Sequence, residues 1–323
     1  MNRRRLLACT LALMAPGART AGVPKRVGYI AAGSADEYFR PGEPGERFVA
    51  AMRAHGWHEG RNVRYVWTFS RHRDDLPRLA DQLVASNPDV VVAWSASRAR
   101  ALAERARTIP IVASVADPVA LGFARTLAEP GGNVTGMTRG AREFMVKGAE
   151  LLRAIDPAGL KTLISLHAPS QATAPLTEAI LQPLSAAIGF RHVPVHAETV
   201  EALEAQLRPM GAGLKCALAV SPPTVAGSFT PFAEAAIRHR VASVTAIPEA
   251  VREGVLACYG LKHADEMGKM ASLVDRVLRG HDPAQIPFER PDRALVSINL
   301  RTARALRADI PREWQTLANE VVQ

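Results

Sequence analysis

From Val27 onward, short apolar runs alternate with longer amphipathic stretches. The short runs predict strands, and apolar residues that recur once per helical turn predict helices. The predicted strands cover residues 26–31, 63–67, 90–94, 111–115, 163–166, 217–220, 243–246 and 255–259. The predicted helices cover residues 45–55, 76–86, 98–106, 144–154, 176–188, 200–206 and 232–240.

The regular alternation of strands and helices predicts an α/β fold with parallel sheets. Crossovers between parallel strands are right-handed and place helices on both faces, so the sheets are expected to be doubly wound. The length of 323 residues suits two lobes better than one. Ligands of such sheets bind beyond the carboxyl ends of the strands.

Turn-forming residues over 129–136 interrupt the alternation ahead of the helix predicted over 144–154. Because Pro and Gly end regular structure, we expect the chain to cross between lobes near Gly136, with a plain tight turn as the alternative. A late helix over 264–278 then leads through an extended stretch into a final strand over 294–299. This order indicates that the chain crosses more than once.

The first residues have the regions of a secretory signal: Arg3, Arg4 and Arg5, a mostly apolar run over 6–15, and Pro16. The apolar run is shorter than the roughly 20 residues that a membrane span needs. Twin-arginine export and general secretion are both compatible with the three arginines. Residues 6–9 also resemble a lipoprotein processing box, although little apolar sequence precedes them.

Charge does not favour a nucleic-acid-binding protein. The formal charge is +9, but four arginines lie in the predicted signal, which leaves 36 Lys and Arg against 31 Asp and Glu. The basic residues form no run beyond the signal, and the sequence has no helix-turn-helix pattern or zinc-ligand cluster ahead of the first strand.

Candidate chemistry is sparse. Cys216 and Cys258 lie in apolar runs without Cys-x-x-Cys spacing, so buried thiols are expected, with a disulfide as the alternative. The nine histidines show no zinc spacing, and no metal or cofactor is expected. The dinucleotide-binding, P-loop and nucleophile-elbow motifs are absent from the sequence, which argues against an enzyme.

Several short motifs resemble one protein family in their order and spacing. They are GWHEGRNV at 56–63, IPIV at 109–112, DPV at 117–119, LAEPGGNVTG at 127–136, EGV at 253–255, YG at 259–260, VLRG at 277–280, INLRTARAL at 298–306 and IP at 310–311. Together they resemble the substrate-binding proteins of the ABC-transporter family that includes tryptophan and tyrosine importers. The resemblance covers essentially the whole chain after the signal.

The resemblance implies a type I periplasmic-binding fold, in which two doubly wound parallel-sheet lobes are joined by a three-strand hinge. With the predicted signal peptide taken as residues 1–22, it implies a first lobe of 23–136 plus 261–287 and a second lobe of 137–260 plus 288–323. The crossings are then expected near Gly136, near Gly260 and over 287–291.

The resemblance also implies a monomeric periplasmic receptor without catalytic chemistry, which delivers a small molecule to an ABC permease of the inner membrane. A ligand-sensing module for a membrane receptor is the alternative function, and a doubly wound enzyme is the less favoured one.

The sequence departs from the family pattern at two predicted ligand loops of the second lobe. Residues 167–171 replace a segment that often contains Asn-Pro, and residues 221–224 stand where an acidic residue is frequent. Specificity for aromatic amino acids is therefore not transferred. We expect a small polar ligand, such as an amino acid or a related carboxylate.

Small polar residues beyond strand ends are the expected ligand contacts of the first lobe. The candidates are Gly33, Ser34, Ser95, Ala96, Ser97 and Asp117. A helix start after Ser95 would offer free N–H groups to an anion, although one serine could serve only as an N-cap. Asp117 could meet a ligand ammonium or cap a turn, the glycine-containing loop could be merely flexible, and Trp94 could stack on a ligand or pack in the core.

Residues that follow second-lobe strands are expected to meet the ligand when the lobes close. These candidates are His167, Ser170, Ser221, Thr224 and Glu249. His167 could instead be an ordinary partly buried histidine, and Ser221 could belong to a rigid loop. The expected hinge residues are Asn133, Thr135, Gly136 and Gly260.

Overall fold

The computed structural model describes residues 23–155, 162–167, 174–219, 228–260, 263–290 and 295–323. Its strands are β1 Lys25–Ala32, β2 Val63–Ser70, β3 Val90–Ala93, β4 Ile111–Val115, β5 Val134–Thr138, β6 Thr162–His167, β7 Arg191–His196, β8 Lys215–Ala219, β9 Val241–Thr245, β10 Ala257–Gly260, β11 Leu295–Asn299 and β12 Glu320–Val322. Its α-helices are α1 Ala35–Tyr38, α2 Pro44–Ala54, α3 Leu76–Ala85, α4 Ala96–Ala103, α5 Ala141–Ile155, α6 Ala174–Ile188, α7 Val200–Leu207, α8 Thr230–Arg238, α9 Glu249–Arg252, α10 His263–Leu278, α11 Leu300–Leu306 and α12 Arg312–Leu317.

The first sheet contains five parallel strands in the order β2-β1-β3-β4-β5. Helices α2 and α10 pack together on one face, and α3 and α4 cover the other. Helix α10 thus belongs to the first lobe, although it follows the strands of the second lobe along the chain. The chain therefore returns to the first lobe after it has built most of the second.

The apolar spacing of α3 shows why these helices dock on the sheet. Leu76, Leu79, Ala80 and Leu83 are buried and recur at helical intervals on one face. Burial of each leucine side chain contributes about 1.5–3 kcal/mol relative to leaving it in water. None of the described helices combines the length and apolarity that crossing a bilayer requires.

The second sheet contains seven strands in the order β12-β11-β10-β9-β8-β6-β7. Its strands are parallel except at β10 and β11, which pair antiparallel. The chain path explains this pairing, because β10 leads out of the second lobe toward α10, whereas β11 is the strand by which the chain returns. The wholly parallel sheet expected from the sequence is therefore mixed at this one pair.

The chain passes between the two sheets through three connections: after β5 at residues 138–141, at the end of β10 near Gly260, and ahead of β11 near Glu289 and Arg290. The first and third connections run side by side, because Thr138 N donates to Glu289 O at 2.9 Å and Glu289 N donates to Gly136 O at 2.8 Å. The two sheet-based lobes that the resemblance implied are thus present.

Most predicted elements occur within a few residues of their expected bounds, and the differences are local. Residues 134–138 form strand β5 instead of continuing the predicted turn, so the chain leaves the first sheet only after Thr138. Helix α4 begins at Ala96 and not at Arg98, and Trp94 lies beyond the end of β3. The edge strands β7 and β12 have no counterpart among the predicted strands.

Candidate ligand-binding cleft

A cavity of about 750 Å³ lies between the two lobes, next to the connections that join them. Its lining comes from the loop after β4, from the start of α5, and from all three connections. The charged side chains that line it are Asp117, Arg139, Arg142, Glu143, Lys147 and Arg290. Acidic and basic groups therefore face the same space.

Strand register brings the first-lobe candidates to one edge of the sheet. Ala32 pairs with Ser70, and Ala93 pairs with Ala113, so the residues that follow β1, β3 and β4 emerge side by side. These are the residues after the carboxyl ends of parallel strands, where the sequence predicted ligand contacts.

Ser95 caps α4, and its hydroxyl is already engaged within the chain. Its Oγ accepts from Arg98 N at 3.3 Å and from Arg98 Nη1 at 3.1 Å, and it lies 3.3 Å from Ser97 Oγ. The helix-capping interpretation of Ser95 thus describes its geometry, with Ala96 as the first helical residue. A ligand contact at Ser95, Ala96 or Ser97 stays a prediction.

Gly33 and Ser34 form a capped turn after β1. The Ser34 hydroxyl and backbone N–H both donate to Glu37 Oε2 at 2.9 Å. These bonds lower the pKa of the Glu37 carboxyl, the side-chain bond from Ser34 being the largest cause. Gly33 has φ of +75°, a backbone conformation that favours glycine over residues with a side chain.

Asp117 both caps a turn and lines the cavity. Its Oδ1 accepts from Val119 N at 3.1 Å and from Ala120 N at 3.0 Å, which fixes the carboxylate. Its Oδ2 accepts no hydrogen bond from the described residues, and the side chain belongs to the cavity lining. The turn role is therefore present, and a ligand contact at Asp117 stays a prediction.

Second-lobe candidates are only partly described. His167 ends β6, is 2% exposed, and its Nε2 has no hydrogen-bond partner among the described residues. Burial, with smaller effects of His196 and His192, lowers the pKa of His167 to about 4. Glu249 is an exposed first residue of α9 and is not part of the cavity lining. Ser170, Ser221 and Thr224 lie outside the described residues.

The expected hinge residues have distinct positions. Asn133 precedes β5 at the end remote from the cleft, and its side-chain amide donates to Ile109 O at 2.7 Å. Thr135 is buried and donates to Ile286 O at 2.7 Å, which ties β5 to the segment that leads into the third connection. Gly136 and Gly260 permit close backbone approach, since a Cβ would lie 1.8 Å from Ala113 O at Gly136 and 2.0 Å from Ala246 O at Gly260.

The sequence did not predict one cluster at the cleft, which consists of Trp94, Arg139 and Glu266. Glu266, near the start of α10, is 2% exposed and accepts a 2.6 Å hydrogen bond from Trp94 Nε1. Arg139 lies beside it, with Nε 3.7 Å from Glu266 Oε1. The available signal was the spacing of α10, because Glu266 falls in line with the buried Met270 and Leu273 on the apolar face.

The described residues contain no group of three or more His, Cys, Asp or Glu side chains arranged to hold a metal ion. Cys216 and Cys258 are both buried, and neither forms a disulfide within that part of the chain.

Comparison with known structures shows the same fold. The structure of an ABC domain in complex with L-Trp from Streptococcus pneumonia has a TM-score of 0.75 and 19% identity, covering 93% of this chain and 100% of that one. A conserved domain protein from Vibrio cholerae has a TM-score of 0.77 and 23% identity, and the match covers 93% of this chain and 100% of that one. The ligand-free, open structure of a substrate-binding protein with adhesive properties from Clostridium difficile has a TM-score of 0.68 and 22% identity. That match covers 93% of this chain and 99% of that one.

Comparison of sequences identifies the family. A tyrosine-binding protein of Clostridioides difficile (strain R20291) is 23% identical over 265 residues, which cover 80% of this chain and 75% of that protein. The sequence profile of the family described as "ABC transporter substrate binding protein" matches residues 46–322. The chain therefore belongs to the ABC transporter substrate-binding protein family.

Proposed function

We propose that this chain is an exported receptor that captures an amino acid or a related small carboxylate between its lobes and presents it to an ABC permease. The observation that carries this proposal is the cavity of about 750 Å³ at the carboxyl edge of the first sheet, bounded by both lobes and by their connections. A ligand there contacts both lobes only when they close, so binding favours the closed form.

The charges around the cavity support an amino acid or a related carboxylate. Asp117 and Glu143 offer carboxylates to an ammonium group, whereas Arg139 and Arg290 offer guanidinium groups to a carboxylate. The Clostridioides difficile relative is named a tyrosine-binding protein, and the Streptococcus pneumonia structure is a complex with L-Trp. Both ligands are zwitterions, which matches a lining that carries both signs of charge.

Binding without catalysis is the mode of action that we propose. The two thiols of the described chain are buried on strands, and burial raises the pKa of the Cys258 thiol far above its usual range. Export rests on the signal-like residues 1–22, which lie outside the described residues. A single copy is sufficient for the proposed site, because both walls of the cavity come from one chain.

Thermal-shift screening of the chain from Val23 with amino acids, nucleosides, sugars and organic acids tests the ligand class. A ligand at 100 times its Kd adds about 2.7 kcal/mol of stability, enough to raise the melting temperature visibly. We expect shifts from one or more amino acids or carboxylates. Shifts from sugars or nucleosides alone would contradict the proposed ligand class.

A further inference from the structure

Arg139 follows β5 and lines the cavity between the lobes. Its guanidinium is fixed from one side. Arg139 Nε donates to Ser114 Oγ at 3.1 Å, and its ζ carbon lies 5.6 Å from the centre of the Trp94 ring. Together with Glu266 at 3.7 Å, these groups hold the guanidinium in one orientation before any ligand arrives.

Glu266 supports Arg139 from behind and does not itself line the cavity. A buried carboxylate is costly unless hydrogen bonds and a cation compensate it. Trp94 Nε1 supplies the hydrogen bond at 2.6 Å and Arg139 supplies the cation. Moving the guanidinium away would leave Glu266 buried with one partner fewer, so Arg139 is held in place.

The outer edge of the same guanidinium meets no partner among the residues that the structure describes. Neither Nη1 nor Nη2 of Arg139 donates to any described residue, and the side chain is 36% exposed. Two parallel N–H groups at this edge match the two oxygens of a carboxylate, a geometry that a lysine cannot provide. A guanidinium that is held at Nε and belongs to a residue lining a cavity is suited to bind a carboxylate there.

A second Trp-acid-Arg group at the other end of α10 provides an internal comparison. Arg279 Nε donates to Asp275 Oδ1 at 2.7 Å, and Trp57 Nε1 donates to the same oxygen at 2.8 Å. Arg279, however, also donates through Nη2 to His55 O at 3.2 Å and lies outside the cavity lining. The two groups contain the same residue types, but Arg139 lines the cavity, whereas Arg279 donates to a backbone carbonyl outside it.

We propose that Arg139 binds the carboxylate of the ligand and makes the cleft select carboxylates over the corresponding amides. This inference rests on the proposed function and adds the residue that determines the specificity. Arg139 acts here as a binding residue, while Trp94, Ser114 and Glu266 position it.

The test compares acids with their amides by isothermal titration calorimetry. The probes are L-tryptophan with L-tryptophanamide, L-tyrosine with L-tyrosinamide, and succinate with succinamide, each with the wild-type chain from Val23. Hydrogen bonds to charged groups correspond to roughly 10–100-fold in affinity, so we expect an acid to bind at least about 30-fold more tightly than its amide.

R139Q is expected to reduce the preference for the acid to within about 3-fold. R139K keeps the charge but loses the planar fork, so its preference is expected to fall at least about 5-fold below that of wild type. R279Q removes the matched arginine outside the cavity and is expected to keep the wild-type preference. If R139Q fails to fold, as judged by circular dichroism, R139K decides the question.

A wild-type protein that binds acid and amide equally would overturn the role of Arg139 while leaving a binding function in place. The same holds if R139Q or R139K retains the full preference. Failure of every acid in the panel to bind wild type would contradict both this inference and the proposed ligand class.

Discussion

The indole of Trp94 donates a 2.6 Å hydrogen bond to Glu266, which links the loop after β3 to the start of α10. The side chain of Glu266 is only 3% exposed, so this bond satisfies a carboxylate that water barely reaches. At the other end of α10, Trp57 donates to Asp275 at 2.8 Å, but the Asp275 side chain is 13% exposed. The two pairs have the same donor and acceptor types but differ in how deeply the carboxylate is buried.

Replacing each tryptophan by phenylalanine tests the effect of depth. W94F leaves the buried Glu266 without its indole donor and should destabilise the chain by about 1–3 kcal/mol. W57F should cost less, because Asp275 keeps its 2.7 Å bond from Arg279 and has more access to water. Urea denaturation measures both. Equal losses for the two variants would show that the depth of the carboxylate does not matter here.

Gly136 is a position where a side chain cannot fit. Its φ is +150°, and a Cβ would lie 1.8 Å from the carbonyl oxygen of Ala113 on the neighbouring strand. G136A should therefore destabilise the chain by more than about 2 kcal/mol. Gly132, in the same segment, has no atom within 4 Å of an added Cβ and an ordinary φ.

G132A thus serves as the control for G136A and should stay within about 0.5 kcal/mol of wild type or gain slightly. Urea denaturation of both variants provides the comparison. A G136A chain as stable as G132A would mean that β4 and β5 do not approach as closely as described.

Burial of His167 predicts that stability depends on pH. The unfolded imidazole takes up a proton near pH 6.5, whereas burial lowers the pKa of the folded one to about 4. Between these values the unfolded state binds more protons, so the free energy of unfolding falls as the pH falls, by up to about 3 kcal/mol in total. His196, stacked at 5.6 Å, and His192 also oppose protonation of His167, whereas Glu178 partly offsets the lowered pKa of His192 itself.

H167N should flatten the part of the pH dependence between about pH 6.5 and 4. Urea denaturation at several pH values measures this slope, and a variant of the exposed His58 provides the control. An H167N slope equal to that of wild type would show that other groups cause the loss of stability in acid.

The two cysteines should remain reduced in the folded protein. Cys216 lies on β8 and Cys258 on β10, with β9 between them. Two strand spacings amount to roughly 10 Å, beyond the Cα separation of below about 7 Å that a disulfide needs. In the chain from Val23, a thiol reagent should find no reactive group in the folded state and two after denaturation. One or no thiol after denaturation without reductant would contradict this.

Apolar periodicity was sufficient to predict the α/β fold, because buried parallel strands appear as short apolar runs, and chain length together with the turn residues over 129–136 indicated two lobes. Strand β5 was missed because Gly136 and the preceding turn residues hide its pattern. The reason for this glycine is the close backbone of β4, which no local signal reveals. Strand β7 was missed because it is an edge strand, mostly exposed, with Pro194 in its middle.

The candidate site was harder to predict than the fold. Residues after strand ends could be found from the chain alone, and Asp117 does line the cavity. Arg139 could not be found in this way, since the residues that hold its guanidinium, Ser114, Trp94 and Glu266, come from three distant parts of the sequence. Only the folded structure shows that its Nε edge is held and that its Nη edge has no partner among the described parts of the chain.

Small-angle X-ray scattering of the chain from Val23 tests the central claim, that two lobes close on a small carboxylate. The measurement compares the ligand-free protein with the protein saturated by the amino acid or acid that gives the largest thermal shift. We expect the radius of gyration to fall on saturation, because the ligand gains contacts with both lobes only when they come together. An unchanged radius of gyration, with binding confirmed by calorimetry in the same buffer, would contradict the claim.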